Sequence, residues 1–318
     1  MKENAMARSL AIGIAGLGKI ARDQHLPAIA AHDGFHLAAT ADPAGGIDGV
    51  EHHDSLDALL AARPDVAAVA LCVPPQLRYG LARTALLAGR HVLLEKPPGV
   101  TVAEVLALDR LAAERNLSLF ATWHSRHALG VAPAKAWCAA NRPRRVRVDW
   151  REDVRWSHPG QQWIWQPGGF GAFDFAINAL SILTEILPAP LRVTRSALDF
   201  PANRETPIAA RLELAGELPG EAGLQVEAVI DWRSEGDPVW DILVEGAGGR
   251  LALTAGGAEL AIDGAAQRLQ GPGEYADIYD RFAALVAAGE RDVDPAPQIL
   301  TADAFLLGRI RRVGPFED

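Results

Sequence analysis

Cysteine is nearly missing from this 318-residue chain: Cys72 and Cys138 stand alone, far apart and in no metal-ligand spacing. Their scarcity argues against a disulfide framework or a zinc site, and it fits a reducing, cytoplasmic compartment. Positive charge is also in deficit. Thirty-one Lys and Arg against 40 Asp and Glu leave a formal charge of −9, so no global field draws the chain to nucleic acid or to an anionic membrane. A small neutral or cationic substrate suits it better. No stretch reaches the roughly 20 uninterrupted apolar residues that a membrane helix requires. Lys2 and Arg8 ahead of the run Leu10–Leu17 imitate a short signal peptide. Gly13 and Gly16 interrupt that run, Gly18 follows it, and there is no twin arginine, so a buried strand entering a phosphate loop accounts for the same residues. Internal repeats, coiled-coil heptads and low-complexity segments are lacking as well.

What remains is ordinary globular composition, 49% hydrophobic and 22% charged, over a length that exceeds one usual core and so predicts two domains. Up to about residue 125, short apolar runs alternate with helical patterns. The predicted strands are Leu10–Ala15, His36–Ala41, Val66–Cys72, His91–Glu95 and Leu117–Thr122; the helices between them are Ile20–Ala31, Ser55–Ala62, Leu77–Ala88 and Val102–Arg115. Several strands are apolar throughout, as burial under helices on both faces requires. Beyond His124 the strands alternate and are separated by turn signals: Arg145–Asp149, Ala209–Leu214, Gln225–Asp231, Trp240–Glu245 and Arg250–Leu253. Helices are predicted at Phe173–Ile186, Glu274–Ala288 and Pro297–Arg312. The expected fold is α/β: a Rossmann domain with a doubly wound parallel sheet over residues 1–125, then an α+β substrate-binding and oligomerisation domain over 126–318, built on a mostly antiparallel, open-faced sheet.

The segment Gly13-Ile-Ala-Gly16-Leu-Gly18-Lys-Ile-Ala21 has the form G-x-G-x-x-A between a strand and a helix. Gly16 permits the tight turn, Gly18 lets the backbone approach a pyrophosphate, and Ala21 allows close helix–strand packing while the helix start faces the anion. Lys19 and Ile20 complete the loop's candidate cofactor contacts. Asp42 follows Gly18 by 24 residues, at the end of the second strand. Its carboxylate can accept from both adenosine ribose hydroxyls and would repel a 2′-phosphate, and no Lys or Arg lies between Arg22 and Arg63 to hold one. NAD is therefore expected, with NADP less favoured. The competing reading of Asp42 is a turn cap before Pro43.

At Cys72-Val-Pro-Pro75 and Glu95-Lys96-Pro97-Pro98-Gly99 the chain resembles the glucose-fructose oxidoreductase and inositol dehydrogenase superfamily (Gfo/Idh/MocA). More narrowly, Gly18-Lys-Ile-Ala-Arg-Asp-Gln-His-Leu-Pro27, Phe120-Ala-Thr-Trp-His-Ser125, His158-Pro-Gly-Gln-Gln-Trp-Ile-Trp165 and Ile177-Asn-Ala-Leu-Ser181 look like bacterial D-galactose/L-arabinose 1-dehydrogenases. The likeness covers essentially the whole chain. It implies oxidation of an aldose at its anomeric carbon to a lactone with hydride passing to a nicotinamide, cofactor contacts from Cys72, Pro74, Pro75, Glu95 and Lys96, no metal, and a homodimer or higher homo-oligomer. Two alternatives stay open: an oxidoreductase of another sugar, an inositol or a dihydrodiol, and a nicotinamide-binding regulator without turnover, which the presence of Lys96 weighs against.

Lys96 has a physical case of its own. It follows a buried strand at the carboxyl edge of the sheet, where an ammonium can orient a hydroxyl and stabilise oxyanion charge. Asp174 and Asn178, four apart on a predicted helix, share one face. Many superfamily members read Asp-x-x-x-His there, with the histidine as acid/base. Asn178 cannot take up a proton near neutral pH, so the role moves to Asp174, with Asn178 bonding it or the sugar. Lys96 competes as the base, and helix capping is the bland alternative for Asp174. Trp150, Trp156, Trp163 and Trp165 lie among Glu152, Asp153 and His158 in a composition suited to a sugar, where aromatic faces cover C–H patches and polar groups read hydroxyls; core packing suits the tryptophans equally well. The candidate substrate contacts are Trp123, His124, Glu152, Asp153, His158, Trp163 and Trp232. The narrower family typically reads Arg-Trp-His-Pro-Gly and Phe-Asp-Pro-Gly-Ile-Asn; this chain has Arg155-Trp-Ser-His-Pro-Gly160 and Phe173-Asp-Phe-Ala-Ile-Asn178. The departures at Ser157, Phe175 and Ala176 put the preferred sugar in question more than the reaction.

Overall fold

A computed structural model describes residues 9–217 and 223–317; Lys2 and Arg8, which raised the signal-peptide reading, lie outside them. The chain divides into two units, one running to Thr122 and taking in Tyr275–Asp294, the other made of Trp123–Glu274 and the segment from Pro295 onward.

In the first unit, strands β1 (Leu10–Ala15), β2 (Phe35–Ala41), β3 (His52–His53), β4 (Ala68–Leu71), β5 (His91–Leu94) and β6 (Leu119–Ala121) form a wholly parallel sheet in the order β3-β2-β1-β4-β5-β6. The order reverses at β1, which opens a crevice between the carboxyl ends of β1 and β4, the usual ligand position in such sheets. The strands are apolar on both sides because both are covered. Ala11 and Ala15 of β1 pack with Leu59, Ala85, Leu86 and Leu108 from helices α2 (Leu56–Ala62), α3 (Pro75–Leu87) and α4 (Val102–Arg115). Ile12 and Ile14 point the other way, into a cluster with Ile29 of α1 (Leu26–Ala31). Local chemistry sets the helix starts: Ser55 Oγ accepts from Ala58 N–H, and Thr101 with Glu104 forms a capping box on α4.

The helix expected over Ile20–Ala31 is not α throughout. Ala21–His25 is a π turn that leads into α1, closed by Leu26 N–H donating to Ala21 O. Pro27 has no N–H to continue the α ladder, which is the physical reason for a widened turn here. His25 is thereby placed wholly inside the unit.

The second unit holds α5 (Val131–Asn141), β7 (Pro143–Arg151), α6 (Val154–Ser157), α7 (Phe173–Ile186), β8 (Leu191–Pro201), β9 (Ala209–Gly216), β10 (Leu224–Asp231), β11 (Val239–Gly246), β12 (Gly249–Thr254), β13 (Glu259–Ile262) and β14 (Ala265–Ala266). Two helices follow in the chain, α8 (Glu274–Ala288), nearly all of which belongs to the first unit, and α9 (Ala296–Leu306), and then β15 (Gly308–Val313). The sheet runs β14-β13-β12-β11-β7-β10-β9-β8-β15, antiparallel except for the β7–β10 and β8–β15 pairs. Burial alternates along β9 and β10, so one face meets the core and the other is open. Helix α7 is apolar almost all round and is enclosed by that core.

The helix expected over Pro297–Arg312 ends at Leu306, and Gly308–Val313 becomes an edge strand paired parallel with β8. A side chain at Gly308 would stand 2.6 Å from Leu198 Cδ1, so the glycine lets the chain approach that edge, whose free hydrogen-bonding groups capture the Arg-Ile-Arg-Arg-Val run. Helix α5 and strand β8 were not foreseen.

Helix α8 contributes Tyr275, Ile278, Tyr279, Phe282 and Leu285, spaced along one face, to the core shared with Ile12 and Ile14. Phe282 stacks between Phe35 at 5.5 Å and Phe120 at 6.5 Å. Truncation of a fully buried phenylalanine costs about 3–5 kcal/mol. Phe282→Ala is therefore expected to lower unfolding stability by about that amount in a denaturant titration; a loss below about 1 kcal/mol would show that α8 is not integral to the first unit.

Candidate active site

At the carboxyl edge of the parallel sheet Gly16 has φ +90°, and a Cβ there would meet Val73 N at 2.8 Å and Cys72 C at 2.9 Å. Both conformation and crowding demand glycine. Gly18 is the reverse case: nothing lies within 4 Å of where its Cβ would be, so no protein atom accounts for the missing side chain, and open space is left where a pyrophosphate would approach the backbone. Asp42 spans this loop and its own turn, accepting from Leu17 N–H at 2.6 Å and Ala44 N–H at 2.8 Å. The turn-cap geometry is therefore real, yet each oxygen has a second acceptor direction left for a ribose hydroxyl. Lys19 pairs with Asp23 one turn on and is exposed. A nicotinamide dinucleotide fits this edge, and Gly16, Gly18, Lys19, Ile20, Asp42, Cys72, Pro74, Pro75, Glu95 and Lys96 are the residues that could hold it.

Lys96 stands just past β5, half-buried, before a cis Lys96–Pro97 peptide bond. Its mounting is a buried network. Glu95, 3% exposed, accepts from Lys96 N–H at 2.9 Å through Oε2, and from Tyr275 Oη at 2.7 Å through Oε1, which also lies 3.0 Å from His25 Nε2. His25 Nδ1 meets Tyr279 Oη at 2.8 Å. Arg78, also buried, donates to the carbonyls of Glu95 at 2.8 Å, of Pro97 and of Val73, which ties the β4 and β5 loops together. Burial opposes protonation of His25, but Cys72, Tyr279 and the hydrogen bond to Glu95 outweigh it and hold the imidazole well above its ordinary range; burial pushes the Tyr279 phenol up to about 12. Sequence reasoning missed His25, Arg78, Tyr275 and Tyr279 as support for Lys96. His25 alone had a signal, its place in the Gly18–Pro27 motif.

In the second unit Asp174 lies in the first turn of α7, 3% exposed, with Oδ2 3.0 Å from His158 Nε2. The other ring nitrogen of His158, Nδ1, is 2.9 Å from Ser157 Oγ. Of the two roles expected of Asn178, the bond to Asp174 does not form: among the described residues the half-buried Asn178 amide makes no side-chain hydrogen bond, while His158, arriving from the α6 loop, meets the carboxylate. Trp232 underlies this group. It stacks on Phe175 at 5.2 Å with a 9° tilt between planes, and it meets His158 at 5.0 Å and Trp165 at 5.7 Å.

Several expected substrate contacts have other occupations. Glu152 is buried, with its oxygens accepting from the indole N–H groups of Trp232 at 3.1 Å and Trp240 at 2.9 Å. Trp232 itself is 0% exposed, so it supports His158 from below and has no open face for a ligand. Asp153 caps α6 by accepting from Arg155 N–H and chelates the Arg155 guanidinium, which holds its carboxyl below the usual range. Trp123 is buried; His124 is half-buried with Nδ1 2.8 Å from Glu274 Oε2; and Trp163 is half-buried, its indole donating to Gln161 Oε1 at 3.2 Å. Of the neighbouring tryptophans, Trp150 and Trp165 are core while Trp156 is exposed. Among the described residues no group of three or more His, Cys, Asp or Glu could hold a metal ion, and no helix is long and apolar enough to cross a membrane.

The family described as an oxidoreductase family with an NAD-binding Rossmann fold, Gfo/Idh/MocA, matches residues 10–122. A galactose 1-dehydrogenase of Pseudomonas fluorescens is 42% identical over 308 residues, covering 96% of this chain and 98% of the relative. Among solved structures, a D-galactose-1-dehydrogenase from Rhizobium etli superposes with a TM-score of 0.91 at 49% identity, covering 98% of each chain. A 3-ketoreductase from Actinomadura kijaniata, solved with NADP and TDP-benzene, has a TM-score of 0.79 at 20% identity over 96% of this chain and 99% of its own, and shares the fold alone.

Because the folded state raises the pKa of His25 above its unfolded value of about 6.5, its contribution to stability is complete below that pH and is lost as pH rises through the folded value. Raising the pH above about 6.5 is expected to cost the wild-type protein more stability than it costs His25→Gln; parallel stability–pH curves would show that His25 is not held protonated.

Proposed function

The chain belongs to the Gfo/Idh/MocA oxidoreductase family, and from that premise we propose that it oxidises a free aldose at C1 to the lactone, D-galactose and L-arabinose foremost, with NAD as hydride acceptor. One observation carries the reading. The likeness to galactose 1-dehydrogenases runs through the second unit as well as the Rossmann unit, and in this family organisation the second unit is where a substrate would be told from its competitors.

A bound nicotinamide supplies the hydride acceptor. The chain's own residues do the rest. Lys96, anchored through Glu95, presents an ammonium that orients the C1 hydroxyl and stabilises charge developing on its oxygen. The anomeric hydroxyl must lose its proton as the hydride leaves the same carbon, and the Asp174 centre is the acceptor; such assistance is typically worth about 10² to 10⁴ in rate. Asn178, His124 and Trp163 are half-buried and suited to reading ring hydroxyls and C–H faces. Arabinose is in essence galactose without its C6 hydroxymethyl group, so a pocket reading only the shared hydroxyls accepts both. Asp42 favours NAD, since its carboxylate would repel a 2′-phosphate. The open face of the second sheet suits association with a second copy, checked by the molecular mass in solution.

Lys96→Ala and Asp174→Ala are each expected to lower turnover by about 10²- to 10⁴-fold with little change in NAD affinity; retained turnover in either removes that residue from the chemical step. Asp42→Ala is expected to narrow the gap between the KM values for NAD and NADP, and an unchanged preference would show that this carboxylate does not read the ribose. A nicotinamide-binding regulator would take up NAD in calorimetry and turn over no aldose.

A further inference from the structure

The glycine loop and Lys96 follow different strands, β1 and β5, yet one turn of chain reaches both. The π turn Ala21–His25 is tied at its start to the loop: Arg22 N–H donates to Gly18 O at 3.2 Å, and Arg22 Nε donates to Leu17 O at 2.9 Å. The turn ends on His25, which is 0% exposed. Its ring is held at both nitrogens, Nδ1 2.8 Å from Tyr279 Oη and Nε2 3.0 Å from Glu95 Oε1. The rings of Tyr275 and Tyr279 stand edge-on to it at 5.0 and 5.8 Å, so the imidazole is confined from α8 as well. Glu95 carries the constraint onward. Its Oε1 meets His25 and Tyr275, while Oε2 accepts from Lys96 N–H at 2.9 Å. A continuous path of hydrogen bonds thus runs from Gly18 to the Lys96 backbone through one turn and one carboxylate, all within the first unit.

Resting on the dinucleotide reading of the glycine loop set out above, we propose that His25 is a positioning residue that couples this loop to Lys96. A pyrophosphate seated on the loop steadies the π turn, and His25 and Glu95 pass that constraint to the backbone from which the lysine projects. Each step has an ordinary physical cause. The space beside Gly18 is open, and a segment with few packing contacts opens locally at little cost. A pyrophosphate that accepts from the loop's N–H groups orders it, and Arg22 is ordered with it, since its N–H and its guanidinium both bond loop carbonyls. His25, three residues on, then samples fewer positions, and Glu95 releases Lys96 N–H less often. Arg78 donates to the carbonyls of Glu95 and Pro97 without using the loop; the coupling therefore tightens a backbone already placed. For the reaction, the consequence is that the lysine is set once the dinucleotide is seated.

Lysine is scarce enough to make the test direct. Lys2, Lys19, Lys96 and Lys135 are the chain's four lysines, so NMR of protein labelled with ¹⁵N at lysine alone reads the loop at Lys19, the coupling at Lys96 and the second unit at Lys135. Lys96 is assigned by its loss in Lys96→Arg. The probe is ADP-ribose, which carries the pyrophosphate and lacks the nicotinamide ring. In the wild type it is expected to shift the Lys19 amide and to slow hydrogen exchange at the Lys96 amide by about 5-fold or more, with Lys135 unchanged. His25→Asn, whose amide is too short to reach Glu95, is expected to keep the Lys19 response and lose the Lys96 response; His25→Gln, which keeps a donor near the place of Nε2, restores it. Should His25→Asn fail to fold, Glu95→Asp interrupts the same path from its other side and is read the same way. A Lys96 response that persists in the interrupted variant, or that is missing in the wild type while Lys19 responds, overturns the coupling. An unresponsive Lys19 in the wild type overturns the dinucleotide reading and the coupling with it. In turnover, His25→Asn is expected to lower kcat by up to about 10²-fold with KM for the sugar unchanged, and His25→Gln to recover it; an undiminished kcat in His25→Asn overturns the positioning role. A wild type that oxidises no aldose overturns the reaction alone, and the lysine amides still decide the coupling.

Discussion

A carboxylate removed from water must have its oxygens satisfied, or the cost of burying it runs to several kcal/mol. That constraint shapes both units. In the first, Glu95 sits under the sheet edge, and its partners include the π turn at His25, the returning helix at Tyr275 and the backbone of Lys96. In the second, Glu152 accepts from two indoles, and Asp174 has an imidazole among its partners. Each of these anions fixes something useful. Glu95 fixes the backbone from which Lys96 projects, Glu152 fixes the indole beneath His158, and Asp174 fixes the position of the His158 ring.

The same arrangement holds the candidate groups in place. A lysine on an unsupported loop would sample many rotamers and hold a hydroxyl poorly; here the guanidinium of Arg78 binds the carbonyls on both sides of Lys96. An aspartate open to solvent would be a hydrated, weakly directed acceptor, whereas the buried Asp174 is held with Oδ2 3.0 Å from His158 Nε2. Catalytic geometry of this kind relies on support below the reacting groups as much as on the groups themselves.

What was legible from the residues follows the range of the interactions. Strand Leu10–Ala15 and helix Val102–Arg115 were readable to the residue, since an apolar run ending in glycines and a Thr-x-x-Glu box are local signals. The division of the parallel and antiparallel sheets was readable from the change between continuous and alternating apolar patterns. Strand β15 was not, because Leu306 to Ile310 continues an amphipathic helical pattern and only the distant edge of β8 makes it a strand. The enclosure of Trp232 and Glu152 was hidden for the same reason: they are 80 residues apart and satisfy one another. Glu95 and Tyr275 are 180 apart, and no periodicity links them. Of the candidate site, the glycine loop, Asp42, Lys96 and Asp174 were visible in motifs, while the contact between His158 and Asp174 was not, because helical spacing is the only proximity the sequence displays.

The central claim is that this scaffold removes a hydride from the anomeric carbon of an aldose. Its most direct test is ¹³C NMR of D-galactose labelled at C1, incubated with the protein and NAD. The account predicts that the paired anomeric resonances give way to a single lactone carbonyl signal as NADH accumulates. Persistent anomeric resonances, with the label unchanged or oxidised at another carbon, would contradict it.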